Sequence, residues 1–385
     1  MPKTILSRLN PSVNGVNRFI STNIPLDRGY SEYNNIHQKI SFVSEQEVLN
    51  LARGLVSNSV NISSPKRAKN ADGIIDSLSQ FFIEKEIILG DSSIVAQTFE
   101  KVADTIKDLY RNKKKLVFTL LGYPNKMPNP LYTNSTSVDL AEIVSLCKLY
   151  YIMEFVDKVY PYGVELLLLT ENSIFYTMSD LSFQEQEQYL NNLCFWEEKI
   201  DAKKLITVKD IQEFHTDQLT QEWKKLTSEF EKLYNTGDAD VIDKIESVMP
   251  SNFATLNYRQ YKLEFLLKFF DPNYYDETME KLRVKYYERS LKESFYYIAY
   301  HQARYRLKFM DKQFPNSLRF TVAPKVGSIG INMLNTKSKM LPYYGYIVTD
   351  KKDYEVKYIT DINPQNTAVY YEKELTYPFY FTTDK

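Results

Sequence analysis

Residues 115–121 of this 385-residue chain, Lys-Leu-Val-Phe-Thr-Leu-Leu, are almost continuously apolar. A run of that kind suits a β-strand buried on both faces, as in a parallel sheet. It ends at Gly122, followed by Tyr123, Pro124, Asn125, Lys126, Met127, Pro128, Asn129 and Pro130. One glycine and three prolines leave this loop few backbone conformations, so Asn125, Lys126 and Asn129 are presented from a narrow set of positions. Beyond it, Ile143, Val144, Cys147, Tyr151, Phe155 and Val159 recur at helical spacing, and Thr136 with Asp139 resembles a capping box. A second apolar run, residues 164–169, closes the unit. Strand, loop, helix and strand in this order predict a parallel pair joined by a right-handed crossover, with ligands at the carboxyl ends of the strands. The Lys126 loop and the segment Thr170, Glu171, Asn172 both leave strands at that edge. Polar side chains beside a helix N-terminus suit an anionic ligand, and proline-rich loops also serve as plain connectors.

The remainder of the chain organises around this unit. Residues 1 to 40 are rich in Asn, Ser and Pro without periodicity and read as an irregular arm. Helices are expected over 45–56, 73–86 and 93–111, separated by polar breakers. Residues 183–312 read as mostly helix: 183–199, 208–234, 238–248, 258–270 and 274–314. Short strands follow at 317–322, 329–334, 345–349 and 354–360, where short spacing argues for antiparallel pairing. The expected fold is α/β: a mixed sheet with a Rossmann-like parallel centre and antiparallel C-terminal strands, plus a helical subdomain. The corresponding divisions are 1–114 (arm and helices packed on the core), 115–182 (first part of the core, with the ligand loop), 183–313 (helical subdomain) and 314–385 (strands completing the core).

Composition narrows the function classes. With 48 Lys plus Arg against 49 Asp plus Glu, the chain has no overall charge to draw it to nucleic acid or an anionic membrane. The last long helical stretch interleaves Arg304, Arg306 and Lys308 with several tyrosines. Such a pattern is usually one solvated and one packed face, and one or two of these cations facing the cleft would suit a phosphate. No GxGxxG or GxxxxGK[ST] pattern occurs, which argues against the common nucleotide cradles. There is no signal-peptide or membrane-span run, so the default location is cytoplasmic. Cys147 and Cys194 lack CxxC spacing and are expected as buried free thiols rather than a disulfide or metal site. His37, His215 and His301 form no triad or metal constellation in the sequence.

Several ordered motifs resemble the isocyanide (isonitrile) synthases of the pyoverdine/dityrosine biosynthesis group. That family has a Gly-Phe-Pro-x-Lys-x-Pro-Asn loop leading into Pro-Asp-x-x-Glu, matched here by Gly122, Tyr123, Pro124, Lys126, Pro128, Asn129, Asp139 and Glu142. The similarity runs on through residues 160–169 and 179–189. It resumes at 314–321, where Phe-Pro-Asn-Ser-Leu-Arg-Phe-Thr is similar to the family's Phe-Pro-x-x-Ile-Arg-Leu-Ser, and reaches Gly345. Three positions depart: Thr170, Glu171 and Asn172 replace Ser-Asp-Gly, Val322 and Ala323 replace Ile-His before Pro324, and Tyr343 and Tyr344 replace Trp-His before Gly345. Two histidines and an aspartate of the family's site are thereby lost, and neither Ala323 nor an ordinary Tyr344 is a neutral-pH base.

The resemblance implies conversion of the amino group of an aromatic amino acid to an isocyanide, with ribulose 5-phosphate as carbon donor and no metal or redox cofactor. It implies Lys126 and Arg319 as the catalytic cations. Tyr123, Asn129, Asp139, Glu142, Thr170, Glu171 and Tyr344 are then the substrate-binding residues, although Asp139 and Glu142 would equally serve as a helix cap. The expected partners are the amino acid and the sugar phosphate, and an iron/2-oxoglutarate-dependent oxygenase acting next in the pathway; nucleic acid and membrane are not expected. The alternative is a non-catalytic or repurposed family member that binds such a ligand or pairs with an active homologue.

Overall fold

The computed structural model describes residues 40–59, 67–84, 87–126, 133, 135–175, 181–257, 268, 274–334, 336, 340–363, 365–373 and 377–383. In chain order its elements are β1 (Ile40–Val43), α1 (Glu45–Ser59), α2 (Ala71–Glu84), α3 (Ser92–Arg111), β2 (Leu116–Leu121), α4 (Leu140–Val159), β3 (Val164–Thr170), α5 (Asn172–Phe175), α6 (Phe183–Ile200) and β4 (Ile206–Asp210). They continue with α7 (Asp217–Asn235), α8 (Ala239–Asn257), α9 (Glu277–Arg306), α10 (Phe309–Gln313), β5 (Leu318–Thr321), β6 (Ile329–Gly330), β7 (Tyr346–Thr349), β8 (Tyr354–Lys357), β9 (Thr367–Tyr371) and β10 (Tyr380–Thr382).

A parallel sheet ordered β4-β3-β2-β5-β6 forms the centre. β2 and β3 are largely apolar, with Thr119 and Glu165 as exceptions within them, because each face meets a different core. Phe118, Leu120, Leu166 and Leu168 pack with α4 residues such as Ile143, Val144 and Cys147. Leu121, Leu167 and Leu169, on the other face, pack with Trp223 and Leu226 of α7 and Phe295 and Ala299 of α9. α4 is apolar around most of its circumference for the same reason: it lies between the sheet and outer helices, as the stack of Phe155 on Phe81 shows (ring centroids 3.7 Å apart).

The α/β class, the parallel centre and the antiparallel C-terminal pairing are as expected, and they divide between two sheets. The second is ordered β1-β9-β10-β7-β8, with β7 antiparallel to β8 and β9 antiparallel to β10. β5 and β6 differ from the antiparallel expectation: they join the central sheet in parallel, because the long return through α9 brings the chain back beside β2 from the same end. The helix expected from residue 208 starts at Asp217; the preceding Ile-Thr-Val run of β4 is β-branched and takes the sheet edge beside β3. The last expected helix breaks after Arg306, where Lys308 adopts φ 49°. The expected arm over 1–40 and most of the expected 258–270 helix lie outside the described residues. Cys147 is a buried thiol and Cys194 a partly buried one. Among the described residues no helix is long and apolar enough to cross a membrane.

Gly330 is where the edge of the central sheet touches the segment after α2. A Cβ there would stand 2.5 Å from the Leu89 carbonyl oxygen, and the same close approach lets Leu89 N donate to Gly330 O at 2.9 Å. Gly330→Ala is therefore expected to destabilise the fold by about 1–3 kcal/mol, read as a lower urea midpoint at unchanged slope.

Candidate active site at the carboxyl edge of the central sheet

Two buried ionic centres meet at the carboxyl ends of β2 and β3. The first grows from the loop after β2. Gly122 N donates to Leu169 O (2.9 Å), and then Tyr123 and Asn125 take φ values of 55° and 129°. Both are left-handed conformations that non-glycine residues adopt only when the surroundings impose them. Tyr123 is held by its hydroxyl on Ser145 Oγ (2.7 Å), and Asn125 by Nδ2 donating to Asn172 O (3.0 Å). This geometry drives Lys126 into the interior, fully buried, where its ammonium pairs with Asp139 and with Glu142 (3.0 Å).

The same two carboxylates start α4. Asp139 Oδ1 accepts from Ala141 N (2.9 Å), while Glu142 Oε2 accepts from Asp139 N (3.1 Å), so the capping box is Asp139 with Glu142 rather than Thr136 with Asp139. Capping and ion pairing are thus performed by one pair of side chains. The Tyr346 ring lies 5.4 Å from the Lys126 ammonium, and Tyr189 OH approaches Glu142 Oε1 (3.4 Å). Burial opposes the Lys126 charge, but Asp139 and Glu142 outweigh it and raise its pKa. Burial, reinforced by Glu142 against the pull of Lys126, lifts Asp139 well above the usual carboxylate range. Burial thus favours the protonated form of Asp139, while the two carboxyl groups favour the charged form of Lys126.

The second centre lies at the end of β3. Glu171 Oε1 accepts from Arg304 Nη1 of α9 at 2.6 Å, and both side chains are about nine-tenths buried. Burial raises the Glu171 pKa against the pull of Arg304. Thr170 is buried with its hydroxyl 3.5 Å from Asp210, and Asp210 in turn accepts from Ser173 N (3.1 Å), Ser173 Oγ (2.8 Å) and Gln212 N (2.8 Å). Arg304 lies over the Tyr300 ring, whose hydroxyl meets His215 Nε2 at 3.1 Å. His301, one turn back on α9, packs on Tyr297 (4.4 Å between centroids), and burial followed by the Arg304 charge pushes its pKa down to about 3. Tyr343 joins the two centres, edge-on to Tyr123 (6.4 Å) and to Tyr344 (4.8 Å).

Lys126, Asp139, Glu142, Tyr123, Thr170 and Glu171 are thus gathered at one edge, with Tyr344 at its partly exposed rim. Arg319 is not brought to it: paired in register with Thr119, two residues short of the end of β2, it is ion-paired with Asp311. Asn129 lies outside the described residues, and Ala323 is exposed. Sequence reading placed Asn172 at this edge without giving it a role, set His301 aside as belonging to no constellation, and did not assign Tyr189 to the site. The signal available for α9 was its row of cations: Arg304 reaches the cleft, while Arg306 pairs with Glu222 (3.3 Å).

A family model described as pyoverdine/dityrosine biosynthesis protein matches residues 106–369. The chain belongs to that family. The match spans both ionic centres and the central sheet of this pyoverdine/dityrosine-family protein. Among solved structures, the crystal structure of the PvcA protein from Pseudomonas aeruginosa is similar with a TM-score of 0.59 at 14% identity, covering 80% of this chain and 100% of that one. At that identity the likeness establishes a shared fold. No curated protein matches the chain.

Proposed function

We propose that this family member is a cytoplasmic biosynthetic enzyme that turns the amino group of an aromatic amino acid into an isocyanide, with ribulose 5-phosphate as the carbon donor. The observation that carries this reading is the buried Lys126, Asp139 and Glu142 centre, held by a strained loop at the carboxyl edge of a parallel sheet. Condensation of an amine with a ketone needs an acid to protonate the departing oxygen and a base to take the N–H proton. Asp139, whose burial favours its protonated form, and Glu142 stand side by side as the acid and base candidates, and Lys126 holds the pair together. Tyr123, Tyr343 and Tyr344 supply aromatic surface for the side chain of the substrate, and Thr170 and Glu171 the polar floor. The isocyanide product would pass to an iron/2-oxoglutarate-dependent oxygenase.

One observation favours the second reading, a family member that binds an amino acid or sugar phosphate without turnover. The Lys126 ammonium is enclosed by two carboxylates and Arg319 is paired with Asp311, so neither stands as an unengaged cation for a phosphate. Mass spectrometry of the purified protein with an amino-acid mixture and isotopically labelled ribulose 5-phosphate separates the two. Label in an isocyanide carbon is the expected result. No transfer, with the protein folded and an active relative working in parallel, would leave the binding role.

A further inference from the structure

Buried polar atoms without partners are uncommon in native proteins, and each calls for an explanation. Five of those found here belong to residues linked by contact or chain: Gln186 Nε2 on α6, and four that lie nearer the second ionic centre, Arg304 Nε, His301 Nε2, Asn125 Oδ1 and Asn172 Oδ1. Glu171 takes Arg304 Nη1, Asn172 follows Glu171 in the chain, and Asn125 Nδ2 donates to Asn172 O. The amide orientations are set by their partners, since Asn125 Nδ2 faces the Asn172 carbonyl and Asn172 Nδ2 faces the Gln186 carbonyl (2.9 Å). Both Oδ1 atoms are thereby left as acceptors. The donors lie on α9 and the acceptors on the loop after β2 and at the start of α5, and a chain of ring contacts from Tyr123, two residues before Asn125, runs through Tyr343 to Tyr344.

We infer that these four atoms form a receptor for the zwitterionic head of an α-amino acid, with Arg304 Nε and His301 Nε2 donating to its carboxylate and the Asn125 and Asn172 amide oxygens accepting from its ammonium. The inference deepens the proposed function and rests on its amino-acid substrate. Charge balance selects the zwitterion. Arg304 and Glu171 already neutralise one another, and the Asp210 carboxylate is satisfied by Ser173 and Gln212. A zwitterion adds no net charge to these buried surroundings, whereas a phosphate dianion would place two negative charges against a single guanidinium that already has a carboxylate partner. The strained backbone of Asn125 has its reason here as well: φ 129° aims a side-chain oxygen that glycine, the natural occupant of that conformation, lacks.

Two substitutions test the two ends, and the second also removes the Asn125 Nδ2 bond to Asn172 O, so its folding check matters most. His301→Phe keeps a ring against Tyr297 and removes the donor; Asn125→Gly removes the acceptor and suits the backbone. Isothermal titration with L-tyrosine, tyramine and 3-(4-hydroxyphenyl)propionate reads the result, with melting temperature as the check on folding. Each variant is expected to weaken L-tyrosine binding by about tenfold or more, as for a lost hydrogen bond to a charged group. His301→Phe should leave tyramine affinity unchanged, and Asn125→Gly should leave that of the propionate unchanged. L-tyrosine affinity within twofold of wild type in both folded variants would overturn the receptor while leaving the proposed reaction standing. Failure of the wild-type protein to bind any amino acid would overturn both. Competition by inorganic phosphate against L-tyrosine in wild type, abolished in His301→Phe, would reassign the donors to a phosphate and overturn the zwitterion assignment.

Discussion

Lys126→Met is expected to lower the unfolding free energy by about 3–5 kcal/mol, because it leaves the Asp139 and Glu142 carboxyl groups facing each other in the interior without their cation. The loss belongs to the orphaned partners more than to the ion pairs themselves. Combining Lys126→Met with Asp139→Asn and Glu142→Gln should therefore recover most of the stability, since the amide side chains still cap α4 and no buried charge remains. Urea denaturation of the single and triple variants measures both. A single variant that loses less than about 1 kcal/mol would mean that water or a rearranged side chain reaches the centre, and the closed ionic core described above would be wrong. In the proposed reaction both variants are inactive, so stability recovered without activity is the signature of a group retained for chemistry.

The second large effect is a pH dependence centred on Lys148. It is buried in α4, its ammonium donates to Asn332 O at 2.5 Å, and burial pushes its pKa from 10.5 down to about 7. In the unfolded chain the same lysine holds its proton up to about its ordinary value. Between pH 7 and 10.5 the native state therefore binds fewer protons than the unfolded state, so this group's contribution to stability rises with pH across that window. Below pH 7 the fold carries a buried ammonium and the full penalty applies. The rise should be on the order of 3–5 kcal/mol. Other groups titrate over the same range, so the measurement is the difference between wild type and Lys148→Met in urea midpoints from pH 6 to 10. The gap should favour the methionine variant at low pH and narrow as pH rises. A gap independent of pH would show that Lys148 keeps an ordinary pKa in the fold.

The raised pKa of Asp139 and the lowered pKa of Lys148 share one cause, burial, and it bears on how much of the site could be read in advance. The motif residues Lys126, Asp139 and Glu142 were legible because their spacing and the surrounding prolines and glycine place them on a loop and a helix start. That Lys126 turns inward, and is enclosed by both carboxylates, depends on the left-handed backbone at Tyr123 and Asn125. Neither is a glycine, so no residue type announced it. Arg319 illustrates the opposite limit. The family motif pointed to Arg319 as a catalytic cation, yet Asp311 within α10 supplies its partner. His301 and Arg304 looked like members of a basic, aromatic helix; their meaning lies in which face of α9 meets the end of β3.

The largely apolar runs at β2 and β3, the long helix between them and the loop at their carboxyl edge were determined by the sequence alone, because each depends on local periodicity and backbone restriction. So was the family, through motifs in fixed order. The pairing of β1 with β9, which joins Ile40 to Ala368, the parallel entry of β5 beside β2 and the separation into two sheets were decided only in three dimensions. Those pairings connect residues far apart in the chain, and backbone hydrogen bonds between strands carry no side-chain code for their partner. The same holds for the meeting of Glu171 with Arg304 across 133 residues. Each side chain required a counter-charge once buried, and only the packing of α9 against the sheet chose which one it found.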